Sequence, residues 1–225
     1  MTSLFSPVFS AEDHAWHGRV GPFYNQLKYL VIHHTEESYQ DHPYQFDIVN
    51  IYHRDRFRRA STGKPFVSML GYCLGYNAFC EKDGTLIWAR LPGEETTAQL
   101  EHNDGDALSF CWSGNFNKIS NKTNDPGPTP AQWKTLKSFM GMFPNLRVVF
   151  HRDLADRTCP GTRITHEMIY DLMGPEWVRY QAEIAKKIPI EYYDEHPRHN
   201  KITRTTKRVI HSLFHKHKRR KHTSF

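Results

Sequence analysis

Two apolar runs in this chain end in histidine: Y-L-V-I before His33 and R-V-V-F before His151. Eight residues after His151, Cys159 stands directly ahead of Pro160 and Gly161. Two imidazoles and one thiolate are three protein donors, a set that suits a zinc ion with its fourth position open to water. Taken singly, each residue has an ordinary structural reading. A strand-end histidine is commonly a hydrogen-bonded or surface residue, and a lone cysteine commonly packs as a small hydrophobe. The triple is more telling, because all three fall at the exit of an apolar run or in the turn after it. Zinc so held lowers the pKa of its bound water toward 7 and can polarise a carbonyl.

The elements that must position these residues follow from pattern. Residues 28–32 and 146–150 read as short buried strands, β-branched and apolar. Residues 107–113 (A-L-S-F-C-W-S) read as a third, closed by Gly114 and Asn115. Residues 72–79 and 86–89 flank Asp83-Gly84, which predicts a hairpin. Phe46, Ile48, Val49, Ile51 and Tyr52 have helical spacing within 45–59. Thr129 followed by Pro130 predicts an N-cap and first turn for a helix to about Met142. Residues 165–185 predict helix interrupted near Gly174-Pro175, and 152–158 a short loop returning Cys159 toward His151. Strands alternating with helices predict an α/β fold, a central mixed β-sheet flanked by helices. The expected organisation is an N-terminal extension over 1–24, one domain over 25–185, and a linker with a basic tail over 186–225.

Composition bounds the rest. With 225 residues, 38% hydrophobic and 24% charged, the chain has material for one core, and wholesale disorder is excluded. Four cysteines without a C-x-x-C pair indicate neither a disulfide scaffold nor a redox pair. The net charge of +6 is uneven. Residues 196–225 contain Lys and Arg but no acid and carry +10, whereas the body carries −4. A polyanion partner would therefore be met by the tail, where Val209, Ile210, Leu213 and Phe214 would share a helix face. An anionic polymer or a membrane surface is the expected partner; the acidic body speaks against specific nucleic-acid binding, and a solvated tail without a partner is the alternative. The start has no basic and apolar leader, so no signal peptide is expected.

Four segments, in order, resemble the zinc-dependent N-acetylmuramoyl-L-alanine amidases of the type-2 group, which includes phage lysozyme-type amidases and animal peptidoglycan recognition proteins. They are Y-L-V-I-H-H-T (29–35), G-Y-N-A-F-C-E-K-D-G-T-L (75–86), L-S-F-C-W-S-G-N-F (108–116) and V-V-F-H-R-D-L-A-D-R-T-C-P-G (148–161). The resemblance implies an amidase-type domain with one Zn²⁺ on His33, His151 and Cys159. It implies Tyr76 and Arg157 as the catalytic pair, the hydroxyl bonding the attacking water or the tetrahedral intermediate and the guanidinium holding the oxyanion. Where some relatives carry a glutamate, Cys111 stands here, as in the phage lysozyme-type members.

The family's G-Y-H reads Gly75-Tyr76-Asn77, and its Ala-His reads Ala98-Gln99, with His102 three residues on. His34, Asn77 and His102 are the expected substrate contacts. The implied substrate is peptidoglycan, cut between N-acetylmuramic acid and L-alanine. The implied role is a phage endolysin, an antimicrobial enzyme held in the host cytoplasm until release to the wall. The alternative is a recognition protein of the same fold without catalysis; non-catalytic relatives typically lose the cysteine, and Cys159 is present.

Overall fold

The computed structural model describes residues 19–36, 44–59, 62–99, 105–118 and 125–190; His102 and the basic tail from 191 onward lie outside them. After a 3₁₀ turn (Tyr24–Gln26), the elements run β1 (Tyr29–His34), α1 (Phe46–Arg56), β2 (Ala78–Cys80), β3 (Leu86–Trp88), β4 (Ala107–Trp112), α2 (Pro130–Met142), β5 (Arg147–Phe150), α3 (His151–Leu154), α4 (His166–Met173) and α5 (Pro175–Lys187). The five strands form one mixed sheet in the order β3-β2-β4-β1-β5. β1 lies parallel between β4 and β5, β2 is parallel to β4, and the β2–β3 hairpin is antiparallel. A mixed sheet flanked by helices is thus the observed architecture.

Strand alternation sorts the core onto two faces. Leu30, Ile32, Leu108, Phe110 and Phe150 join Leu136, Phe139 and Met140 of α2 and Ile169 and Met173 of α4. Tyr29, Val31, Ala107 and Val149 fall on the opposite face with Leu154 of α3. On that face Phe79 and Cys111 pack with Phe46 and Val49 of α1. Among the described residues no helix is long and apolar enough to cross a membrane.

The starts of α2 and α1 are closed by side chains. Thr129 Oγ1 accepts from the Gln132 backbone at 3.1 Å while Gln132 Oε1 accepts from Thr129 N at 3.0 Å, a capping box with Pro130 in the first turn. The start of α1 is closed from outside: the buried Glu81 carboxylate accepts from Gln45 N and from Phe46 N at 2.7 Å. An anion at a helix N-terminus meets both the free N–H groups and the helix dipole. Gly174, at φ +85°, ends α4, and Pro175 opens α5.

Three expected boundaries move. Residues 72–77 are not strand, because their N–H groups are taken by side chains: Tyr72 N bonds Ser68 Oγ, and Cys73, Leu74 and Gly75 bond side chains of α1. α1 stops at Arg56, since Phe57 is extended and Arg58 bridges to Pro65. The expected loop over 152–158 begins as the helical turn α3. Residues on either side of 25–185 also bond to the sheet and its loops. Gly21 and Phe23 donate to Pro92 O and Gly93 O, α5 continues to Lys187, and Tyr29 Oη donates to Pro189 O at 2.6 Å.

Candidate metal centre

The three donors meet at the carboxyl ends of β1 and β5. In the register Ile32 pairs with Phe150, so His33 and His151 follow on neighbouring parallel strands and face the same side. Their ring centroids are 4.7 Å apart. α3 turns the chain back, and Arg152 N bonds Cys159 O at 3.0 Å, which returns the thiol to the strand ends. One donor atom from each of His33, His151 and Cys159 lies within 4.8 Å of the others, and Cys159 Sγ is 3.6 Å from His33 Nδ1. Zinc bonds of about 2.0–2.3 Å in tetrahedral geometry separate neighbouring ligand atoms by roughly 3.3–3.8 Å; the His33–Cys159 pair has that spacing, and the donor set suits that ion.

The electrostatics suit a metal. Burial, reinforced by the neighbouring His151 charge, holds the His33 imidazole well below its ordinary pKa, so it is neutral with a free lone pair at pH 7. Burial pushes the Cys159 thiol up, countered by the His34 backbone N–H, which points at the sulfur. A cation there would supply the charge that makes the thiolate stable.

Tyr76 lies over this cluster, its ring centroid 5.1 Å from that of His33. Burial, with the Cys111 and Cys159 sulfurs nearby, raises its pKa well above the ordinary value. The phenol therefore stays a neutral donor, bonded to Cys111 in this state. Arg157 is exposed on the loop just before Cys159, and its charge acts on Glu36 and Cys159.

The loop carrying Tyr76 is held from two sides. From α1, Asn50 Oδ1 accepts from Cys73 N and Leu74 N at 2.7 and 2.9 Å, and His53 Nδ1 accepts from Gly75 N at 2.7 Å. A Cβ at Gly75 would stand 2.3 Å from Thr97 Oγ1, so this approach needs glycine. Opposite, the buried Arg90 donates to Leu74 O, Phe66 O and Glu95 O. Neither His53 nor Arg90 stands out in the sequence; a helix histidine and a strand-end arginine are ordinary surface residues until the fold buries them.

His53 carries a pH dependence. Burial, then the charges of Arg90 and Arg56, lower its pKa to about 4, against about 6.5 when exposed. The unfolded state thus binds a proton that the folded state refuses between those values. Stability is unaffected by this group above pH 6.5, falls as pH drops through the window, and has lost about 3 kcal/mol below pH 4. Denaturant unfolding from pH 7.5 to 4 should show a smaller decline in His53→Gln, whose amide oxygen can still accept from Gly75, than in the wild type.

Two expected substrate contacts, His34 and Asn77, are buried in the fold. His34 follows His33 by one residue, so alternation sends its side chain through to the opposite face of the sheet. There it is buried, stacks on Phe116 at 5.7 Å and accepts from Phe116 N. Asn77 is fully buried and stitches the start of β2 to β4: its Oδ1 accepts from Ser109 N and Oγ, its own N–H donates to Ser109 Oγ, and its Nδ2 donates to Leu91 O. Its side-chain polar atoms are thus all bonded inside the fold. His102 lies outside the described residues. Gln99, read from the sequence only as a replaced histidine, is instead buried against His33, with Oε1 3.2 Å from His33 Nε2.

No protein-family model matches the chain, and no curated protein does. Solved structures do resemble it. The endolysin N-acetylmuramoyl-L-alanine amidase LysCS from Clostridium intestinale URNW is 20% identical, with a TM-score of 0.48 over 71% of this chain and 90% of its own. The Ph2119 endolysin from Thermus scotoductus bacteriophage Ph2119 is 20% identical, with a TM-score of 0.45 over 66% of this chain and 86% of its own. Drosophila peptidoglycan recognition protein SD is 15% identical, with a TM-score of 0.47 over 64% of this chain and 79% of its own. The solved structures it resembles thus include amidase endolysins and peptidoglycan recognition proteins, at identities of 15–20%.

Proposed function

We propose that the chain is a zinc-dependent N-acetylmuramoyl-L-alanine amidase that cuts peptidoglycan between the muramic acid and the first alanine of the stem, in the role of a phage endolysin. The observation that carries this is the convergence of His33, His151 and Cys159, one donor each within 4.8 Å, beneath the Tyr76 ring. The ordered motif resemblance over 29–161 supplies the substrate class. A zinc ion bound there acts as a Lewis acid and lowers the pKa of a bound water. The remaining work belongs to the chain: the neutral Tyr76 hydroxyl donates a hydrogen bond to oxygen at the scissile carbon, and Arg157 at the rim offsets the negative charge that develops. Cys111, on β4 beside Tyr76, occupies the place where a carboxylate base stands in some relatives, so this reading uses no glutamate there. The endolysin would collect in the host cytoplasm and reach the wall on release. The +10 tail would meet anionic wall polymers or membrane.

Digestion of purified peptidoglycan tests the reading. New α-amino groups on L-alanine should appear without new reducing sugar ends, stop on chelation and return on adding zinc. Reducing ends in place of amines would overturn it. Tight binding without either product would assign the chain to recognition instead.

A further inference from the structure

The sequence places Gln99 where related chains carry a histidine, and nothing in its composition or spacing suggests a task for it. In the structure Gln99 is 1% exposed, and two of its contacts depend on each other. Its Nε2 donates to the backbone carbonyl of Ala107, the first residue of β4, at 3.2 Å. With the amide nitrogen committed there, Oε1 is the atom that faces His33 Nε2, also at 3.2 Å. An amide oxygen can only accept, so His33 Nε2 must carry the ring proton. The other nitrogen, Nδ1, is then bare, and it is the one directed at Cys159 Sγ, 3.6 Å away.

We propose that Gln99 is the positioning residue of the centre: it selects the Nε2–H tautomer of His33 and fixes the ring so that Nδ1 presents its lone pair to a metal shared with His151 and Cys159. This rests on the metal-centre reading above and adds the residue that prepares it. A metal-bound imidazole is usually oriented through its other nitrogen by a carbonyl or carboxylate, and losing that partner typically weakens metal affinity about 10–100-fold. The amide does this without a charge. It is anchored to the end of the strand beside β1, so the His33 ring is aligned by the same sheet that aligns its backbone.

The test reads the tautomer directly. Long-range ¹H–¹⁵N spectra of the metal-free full chain should show His33 as Nε2–H. In Gln99→Met, which keeps the side-chain length and removes the acceptor, the signals should move to a mixture of tautomers. Zinc affinity, measured by competition with a chromophoric chelator, should fall about 10–100-fold. Gln99→Glu retains an acceptor toward His33 and should keep Nε2–H and bind zinc at least as well as the wild type, which also covers the case in which the methionine variant does not fold. A wild-type His33 protonated on Nδ1 would overturn the proposal, as would Gln99→Met with unchanged tautomer and affinity or Gln99→Glu with the tautomer reversed. If the wild type bound no zinc while Gln99→Met still shifted the tautomer, the metal-centre reading would fail and the assignment of Gln99 would stand.

Discussion

Zinc should be lost from Cys159→Ser and from His151→Ala while the fold survives. Structural zinc sites with four ligands are worth about 10–16 kcal/mol, so one ligand carries roughly 3–4 kcal/mol, a fall in affinity of at least about 10²-fold. The fold does not depend on these donors. The sheet is held by Leu30, Ile32, Leu108, Phe110 and Phe150 against α2 and α4, and Cys159 lies at the strand ends, outside that cluster. Serine for cysteine at 159 is nearly the same size, and far-ultraviolet circular dichroism should be unchanged. Metal analysis after dialysis against a chelator of moderate strength distinguishes the variants from the wild type. Full zinc occupancy in His151→Ala would remove that residue from the centre, and with it the three-donor assignment.

Tyr76→Phe should keep zinc and fold and lose on the order of 10²-fold in kcat, the scale of one missing donor to developing negative charge. The ring is retained, so its packing over His33 and against His53, at 5.1 and 5.5 Å, persists, and only the hydroxyl is removed. The loss should fall on kcat with KM little changed, because the bond is made in the transition state. Burial keeps the phenol protonated far above neutral pH, so the wild-type rate should show no alkaline limb from this residue. Single-turnover hydrolysis of a soluble muropeptide measures the effect. A wild-type rate in Tyr76→Phe would place the chemistry elsewhere. Asn50, His53 and Arg90 hold the Tyr76 loop without facing the donors, so their replacement should raise loop mobility and lower kcat without releasing zinc.

Much of this was legible in the chain before folding. Apolar runs ending in His33 and His151 are local signals: a short β-branched run favours a buried strand, and the histidine that follows it stands at the carboxyl end of that strand. Asp83-Gly84 between two apolar runs dictated a hairpin, and Thr129-Pro130 a helix start, because turn and cap chemistry act over four residues. Strand alternation even contained the placement of His34, since neighbours on a strand cannot face one way. The tertiary structure alone decided which polar residues would be buried together. Residues 72–77 look like strand but bond to Asn50, His53 and Ser68, because the partner that takes an N–H is chosen by what packs alongside. Asn77, expected as a substrate contact, closes on Ser109, 32 residues away. Gln99 meets His33 across 66 residues and beyond a neighbouring strand. Composition and spacing carry information over a turn or a strand; the choice of tautomer at His33, and the hold on the loop that carries Tyr76, depend on long-range pairing and exist only once the sheet has assembled.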